Sequence, residues 1–175
     1  MRLPSLSTLL VCVAVLSGCR TDRVISEFRH VPKNPRFSIQ PADYTRTDML
    51  DFQAVYYTVD EAETKYGTRK AYNYLRFWPT GHVLIDFADH LPDAKEAEDF
   101  SHAYLGYYRL HERKIVLEFF SPDTGRWRWD YGRDSGYVDG DSIVITSSTL
   151  GARSWENRIA FTRHPVEGLK RRPDW

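Results

Sequence analysis

Over most of this chain, apolar and polar positions alternate with a period of two, beginning near residue 52. That is the pattern of strands with one buried face, and it is broken at short intervals by turn residues. The first run is 52–58, followed by a charged loop through Gly67. Runs at 71–78 and 82–88 flank Pro79-Thr80-Gly81, where proline supplies a fixed φ and glycine a permissive one, so the two form a hairpin. Runs at 102–110 and 113–120 flank His111-Glu112, and the turn 121–125 leads into RWRWDYGR. Asp139-Gly140 marks a two-residue hairpin before the runs 141–148 and 154–162. Only PDAKEAEDF (92–100) departs from the period, with proline at a helix start and strong helix formers behind it, and it predicts one helix of about two turns. The expectation is an all-β fold, an antiparallel up-and-down meander of about eight strands that closes into a small barrel, with one short helix.

The same period sorts side chains by face. In RWRWDY, Trp127, Trp129 and Tyr131 share one face, and Arg126, Arg128 and Asp130 the other. In the preceding strand Ile115, Leu117 and Phe119 oppose Lys114, Val116, Glu118 and Phe120. The aromatics are therefore core, and the arginines belong to a solvated face where they pair with carboxylates such as Glu118. Phe77, Phe87, Phe119, Trp127, Trp129 and Phe161 are expected to point inward. Aromatic residues make up 14% of the chain, enough either to fill a barrel of this size or to line a small pocket near its open end. For a pocket, Tyr57, Tyr74, Tyr107 and Trp129 are the expected ligand-binding residues, each an apolar wall and three of them tipped with a hydroxyl.

Before residue 50 the pattern changes. One basic residue, Arg2, precedes an apolar run from 9 to 16 and small residues before Cys19, which is the layout of a secretory signal peptide and too short for a spanning helix. Leu16-Ser17-Gly18-Cys19 resembles the lipobox of bacterial lipoproteins. That resemblance implies removal of residues 1–18, diacylglycerol and acyl chains such as palmitate on Cys19, and attachment to a membrane through those chains. Residue 20 is Arg rather than the Asp that marks inner-membrane retention, so the resemblance further implies an outer-membrane protein facing the periplasm. Residues 19–49, with Pro32, Pro35 and Pro41, are expected to form the lipidated N-terminus and a polar linker. Residues 50–163 form the barrel domain and 164–175 a basic tail.

Charge and cysteine content narrow the function. Lys and Arg total 24 against 24 Asp and Glu, a neutral balance that gives no electrostatic footprint for nucleic acid. Both cysteines, Cys12 and Cys19, fall in the signal and lipidation region, so the domain is expected to rely on its core rather than on a disulfide.

YLRFWPTGHVL (74–84), LGYYRLHERKIVLEF (105–119) and the later WDYGR and GDSIVI segments resemble the lipocalin-like, or calycin-like, domains of bacterial lipoproteins over residues 50–163. The resemblance implies an up-and-down barrel whose interior takes one small apolar or amphiphilic molecule. The alternative is a solid barrel that docks an envelope protein through its outer surface, as small barrels do in lysozyme-inhibitor lipoproteins.

Signals for chemistry are sparse. There is no G-x-S-x-G, no H-E-x-x-H and no glycine-rich phosphate loop between a strand and a helix. The histidines at 30, 82, 90, 102, 111 and 164 stand at no ligand spacing, and His82, His90 and Asp86 read as strand-end and turn residues rather than metal ligands. Asp93, Glu96, Glu98 and Asp99 suit a helix start and a solvated face, and Asp130, Asp134, Asp139 and Asp141 lack the register of a calcium loop. No catalytic residue, metal or cofactor is expected.

Overall fold

The computed structural model describes residues 35–64, 67–123 and 128–175. Among them eight strands run in chain order around a closed antiparallel barrel: β1 (Ala54–Thr64), β2 (Gly67–Phe77), β3 (His82–Ala88), β4 (Tyr104–His111), β5 (Lys114–Asp123), β6 (Arg128–Asp139), β7 (Ser142–Leu150) and β8 (Arg153–Pro165). The meander expected from the turn signals is the observed topology. Gly140 and Asp141 make the two-residue β6–β7 turn, one residue on from the expected Asp139-Gly140, with Gly140 at φ 58°, and Gly81 closes the β2–β3 turn at φ 82°. Gly81 is also approached closely, since a Cβ there would meet the Ala42 backbone at 2.7 Å.

The single helix, α1 (Ala94–Ala97), is one turn rather than two. Asp93 caps it by accepting from the backbone of Lys95 and Glu96, while the Glu96 side chain accepts from the Asp93 N–H. Beyond it Asp99 accepts from the Ser101 backbone and hydroxyl, so a local turn takes the backbone groups that a second helical turn would have used.

The inner faces of all eight strands meet in one core, with Tyr56, Leu75, Phe77, Val83, Tyr108, Ile115, Leu117, Val138, Ile143 and Phe161 buried together. Ile115, Leu117 and Phe119 face inward on β5 as their spacing predicts. A second core lies outside the barrel. There α1 and the segment after β8 cover the outer faces of β2, β3 and β4, burying Val55, Tyr74, Trp78, Leu84 and Leu105 against Ala97, Phe100, Val166 and Leu169. The basic tail is therefore a packed strap, with Arg171 lying over the Phe100 ring at 3.9 Å and Trp175 edge-on to Trp78 and Phe100.

The described part of the expected linker, 35–49, is also packed. Phe37 and Ile39 are buried, with Phe37 edge-on to Tyr107 and Tyr131. Glu118, expected on a solvated face beside Arg126 and Arg128, is 5% exposed because this arm covers it. Its carboxylate accepts from the Ile39 N–H at 2.7 Å, from the Ser38 hydroxyl and from Arg133, its cross-strand neighbour. Further along, the Tyr44 N–H donates to the Pro79 carbonyl and the Tyr44 ring stacks on Tyr108 at 4.8 Å, so the arm plugs one end of the barrel.

Candidate functional site

The two ends of the lumen differ. At the plugged end the rings interlock, Tyr56 against Phe77 at 5.7 Å and Phe77 against Tyr108 at 5.1 Å, with Leu50, Phe52 and Phe161 filling the remaining space. The phenol groups are internally satisfied. Tyr108 donates to the Trp78 carbonyl at 2.9 Å and the Tyr56 hydroxyl accepts from the Asp51 N–H at 2.9 Å, and burial pushes both hydroxyls above the ordinary tyrosine range. This end is solid.

At the other end the wall opens. β1 pairs with β8 only from Ala54↔Pro165 to Tyr57↔Thr162, although β1 continues to Thr64 and β8 begins at Arg153. Among the described residues the remainder of each strand is hydrogen-bonded on one side only, to β2 and β7 respectively. A bulge opposite Thr146 bends β7 and β8 where the separation occurs. Register identifies the side chains on the inner face here: Thr58 opposite Asn73, Ile85 opposite Tyr104, Asp134 between Leu117 and Ser148, Ile159 opposite Ile145 and Trp155 opposite Ser148. The Phe119 ring lies against Gly132, where a Cβ would meet it at 2.5 Å. Ile159 and Trp155 share the inner-face register of the core yet are 38% and 45% exposed, so the apolar wall is open to solvent.

Within this mouth lies a small polar set. Asn73 donates to Asp60 at 2.8 Å and Asn157 to the Ser148 hydroxyl at 3.2 Å, while the Asn157 carbonyl oxygen is buried without a partner among the described residues. Burial raises the Asp134 carboxyl above the usual range, partly offset by Ser148 beside it. An apolar wall with a few convergent polar atoms is the chemistry of a site for a small amphiphile.

Three of the four residues expected in a pocket lie elsewhere. Tyr74 is on the outer face under α1, its hydroxyl donating to the Glu96 carbonyl at 3.1 Å and lying 3.5 Å from Asp86. Tyr107 packs outside against Phe37 and His82, and Tyr57 against Tyr72 and His164. In each case the adjacent residue, Leu75, Tyr108 or Tyr56, points inward, a one-residue slip that exchanges the faces. Trp129 stands opposite Pro122 in the β5–β6 register. Its side chain, the Trp127 side chain and Cys19 lie outside the described residues.

A second concavity lies on the outside. Between residues 50–53, the β2–β3 turn and the strap 169–173 runs a groove of about 760 Å³. Arg76 forms part of its wall at 2% exposure, an arginine in the buried half of β2 whose spacing had assigned it no role. Its guanidinium donates to the carbonyls of Ala97 at 2.8 Å and Arg171 at 3.2 Å, pairs with Glu98 at 3.4 Å and stacks on Trp78 at 4.3 Å. Burial acts to raise Glu98, but N–H groups of Arg171 and Lys170 and the Arg76 charge bring it below the usual range. His82, in contact with Tyr107 and Trp175, is held below the ordinary histidine range by burial. No three His, Cys, Asp or Glu side chains converge on a metal position among the described residues.

Compared with family models, with curated proteins and with solved structures, the chain matches none.

Proposed function

We propose that this chain is an envelope lipoprotein, anchored through Cys19, whose barrel binds one small amphiphilic molecule in the open mouth. The apolar part of the ligand rests on Ile85, Phe119 and Ile159, and its polar end meets Asp134, Ser148 and Asn157. The observation that carries this reading is the solvent exposure of inward-facing Ile159 and Trp155 where β1 and β8 part. Apolar side chains on a core-facing register stay wet only when the space in front of them is open, and covering them is favourable by about 25 cal/mol per Å². The reaction class is binding rather than catalysis.

Native mass spectrometry of residues 20–175 purified from their own envelope tests this. The expected result is a discrete bound mass that is lost on denaturation and on substitution of Ile159→Arg in the mouth. A clean apo mass, repeated after incubation with extracted envelope lipids, favours the second reading, a docking protein with a filled barrel. The solid plugged end is the feature that supports that alternative.

A further inference from the structure

The groove on the outer face is independent of the mouth, and its chemistry is different. Arg76, Lys170, Arg171 and Arg172 line it against Asp51, which is itself engaged by Arg163 at 3.0 Å, and because Arg76 pairs with Glu98 and Arg171 with Asp174, the exposed Lys170 and Arg172 carry the excess positive charge. Arg76 is the informative member. Its terminal nitrogens are occupied by two carbonyls and Glu98, while its buried Nε has no acceptor among the described residues. A buried donor left without an acceptor is a standing cost, and at 2% exposure Arg76 offers the groove its positive charge rather than an open hydrogen-bonding face. Beside this charge the groove is apolar, through Leu50, Phe52, Trp78 and Leu169. Its volume of about 760 Å³ suits one small molecule rather than a two-chain lipid.

We propose that this groove is a second ligand site, which takes a small amphipathic anion. A carboxylate or phosphate head faces Arg76 and the run Lys170, Arg171 and Arg172, and a single apolar body lies along Leu50, Phe52 and Trp78. Arginine suits the head because its planar donors match oxyanions and because it stays charged when buried. Lys170 and Arg172, both exposed at the rim, add attraction that salt will screen.

The Trp78 indole N–H, which donates to the Arg171 carbonyl at 2.8 Å, reports on this wall. The experiment follows that indole NMR signal in residues 20–175, assigned with Trp78→Phe, during titration with decanoate, decyl phosphate, decylamine and inorganic phosphate. Saturable shifts are expected with decanoate and decyl phosphate and not with the other two. The exposed double variant Lys170→Glu, Arg172→Glu should keep its fold and bind both alkyl anions about tenfold more weakly. Ile159→Arg in the mouth should leave the Trp78 response unchanged, which separates this site from the lumen. Equal binding of decylamine, or unchanged affinity in the charge-reversed variant, overturns the proposal. Inorganic phosphate binding as tightly as decyl phosphate also overturns it, because the apolar wall would then contribute nothing. Decanoate and decyl phosphate have alkyl tails within one methylene of each other and differ mainly in the head, so their relative affinities distinguish a fatty-acid-like source from a phosphorylated one.

Discussion

Asp134 shows at the scale of one residue how the proposed ligand site and stability would oppose each other in this barrel. Its carboxyl faces the lumen between Leu117 and Ser148, and burial raises its pKa. With the folded pKa above the unfolded one, ionising this half-buried carboxyl costs the folded state stability at pH values above the unfolded pKa. That penalty fades as pH falls through the folded pKa toward the ordinary aspartate value of 3.8. Asp134→Asn should therefore be more stable than the parent at pH 7, by about 1 kcal/mol, with the gap narrowing at pH 4. Urea denaturation at the two pH values checks this, and equal stabilities at pH 7 would mean that the carboxylate is solvated. A destabilising inward carboxylate at a solvent-open wall is the kind of local conflict that marks binding sites. The alternation gave no signal for it, because the period of Trp127, Trp129 and Tyr131 sets residue 134 on the opposite, solvated face, whereas in the structure Tyr131 packs outside against Phe37 and Asp134 faces in. Arg76 did carry a signal, a lone cation inside AYNYLRFW. In both cases the partners that explain the residue, Ser148 for one and Glu98 with the strap for the other, come from distant segments.

The strap and α1 explain at the scale of elements why strand order was legible and strand faces were only partly so. On β5 Ile115, Leu117 and Phe119 form the strictly apolar set while the other face mixes Lys114 and Glu118 with Val116 and Phe120, so period two assigned the inner face correctly, although the arm buries Glu118 on the other. On β2 and β4 both faces are apolar, Tyr74 and Trp78 against Leu75 and Phe77, and Leu105 against Tyr108, because each side of the sheet is covered. A strand buried on both faces loses its alternation, and with it the information about which side is the lumen. The cover should be strongly held. Leu169→Ala, at a position 6% exposed in the outer core, should cost about 2 to 4 kcal/mol, as a buried leucine truncation does. Chemical denaturation measures it, and a loss under 0.5 kcal/mol would mean that the strap only rests on the surface. The strap also has a pH sense. His82 has a folded pKa below 6.5, so the unfolded chain takes up a proton first and stability drops as pH falls below that value. Glu98, whose folded pKa is depressed, loses its contribution at still lower pH. His82→Gln should thus flatten the part of the stability profile between pH 7.5 and the folded pKa, read as the difference between parent and variant so that other titrations cancel.

The whole molecule is a barrel closed at the arm and strap and parted at the other end, and its opening follows from how the edges are protected. An exposed strand edge invites pairing with another chain unless charge or twist prevents it. Here the free part of β1 carries Asp60, Glu61 and Glu63, with Lys70 on β2 paired to Glu61 at 2.7 Å, and the free part of β8 carries Arg153, Glu156 and Arg158. Those charges let both edges stand open in water without zipping to a neighbour, and under the proposed function the gap between them serves as a side entrance to the lumen. Continuing the β1–β8 register past Tyr57↔Thr162 would set Val59 opposite Ala160. A Val59→Cys, Ala160→Cys variant of residues 20–175 holds no other cysteine, and its disulfide forms only when the Cα atoms come within about 7 Å, which requires the edges to close. In the oxidised form ligand exchange at the mouth should slow about tenfold or more, and reduction should restore it, while the Trp78 response to alkyl anions stays the same. Stopped-flow displacement with and without reductant measures the effect. Exchange at the parental rate in the oxidised protein would place the entrance over the barrel rim instead, among the hairpins β5–β6 and β7–β8, and would leave the parted edges with a purely structural role.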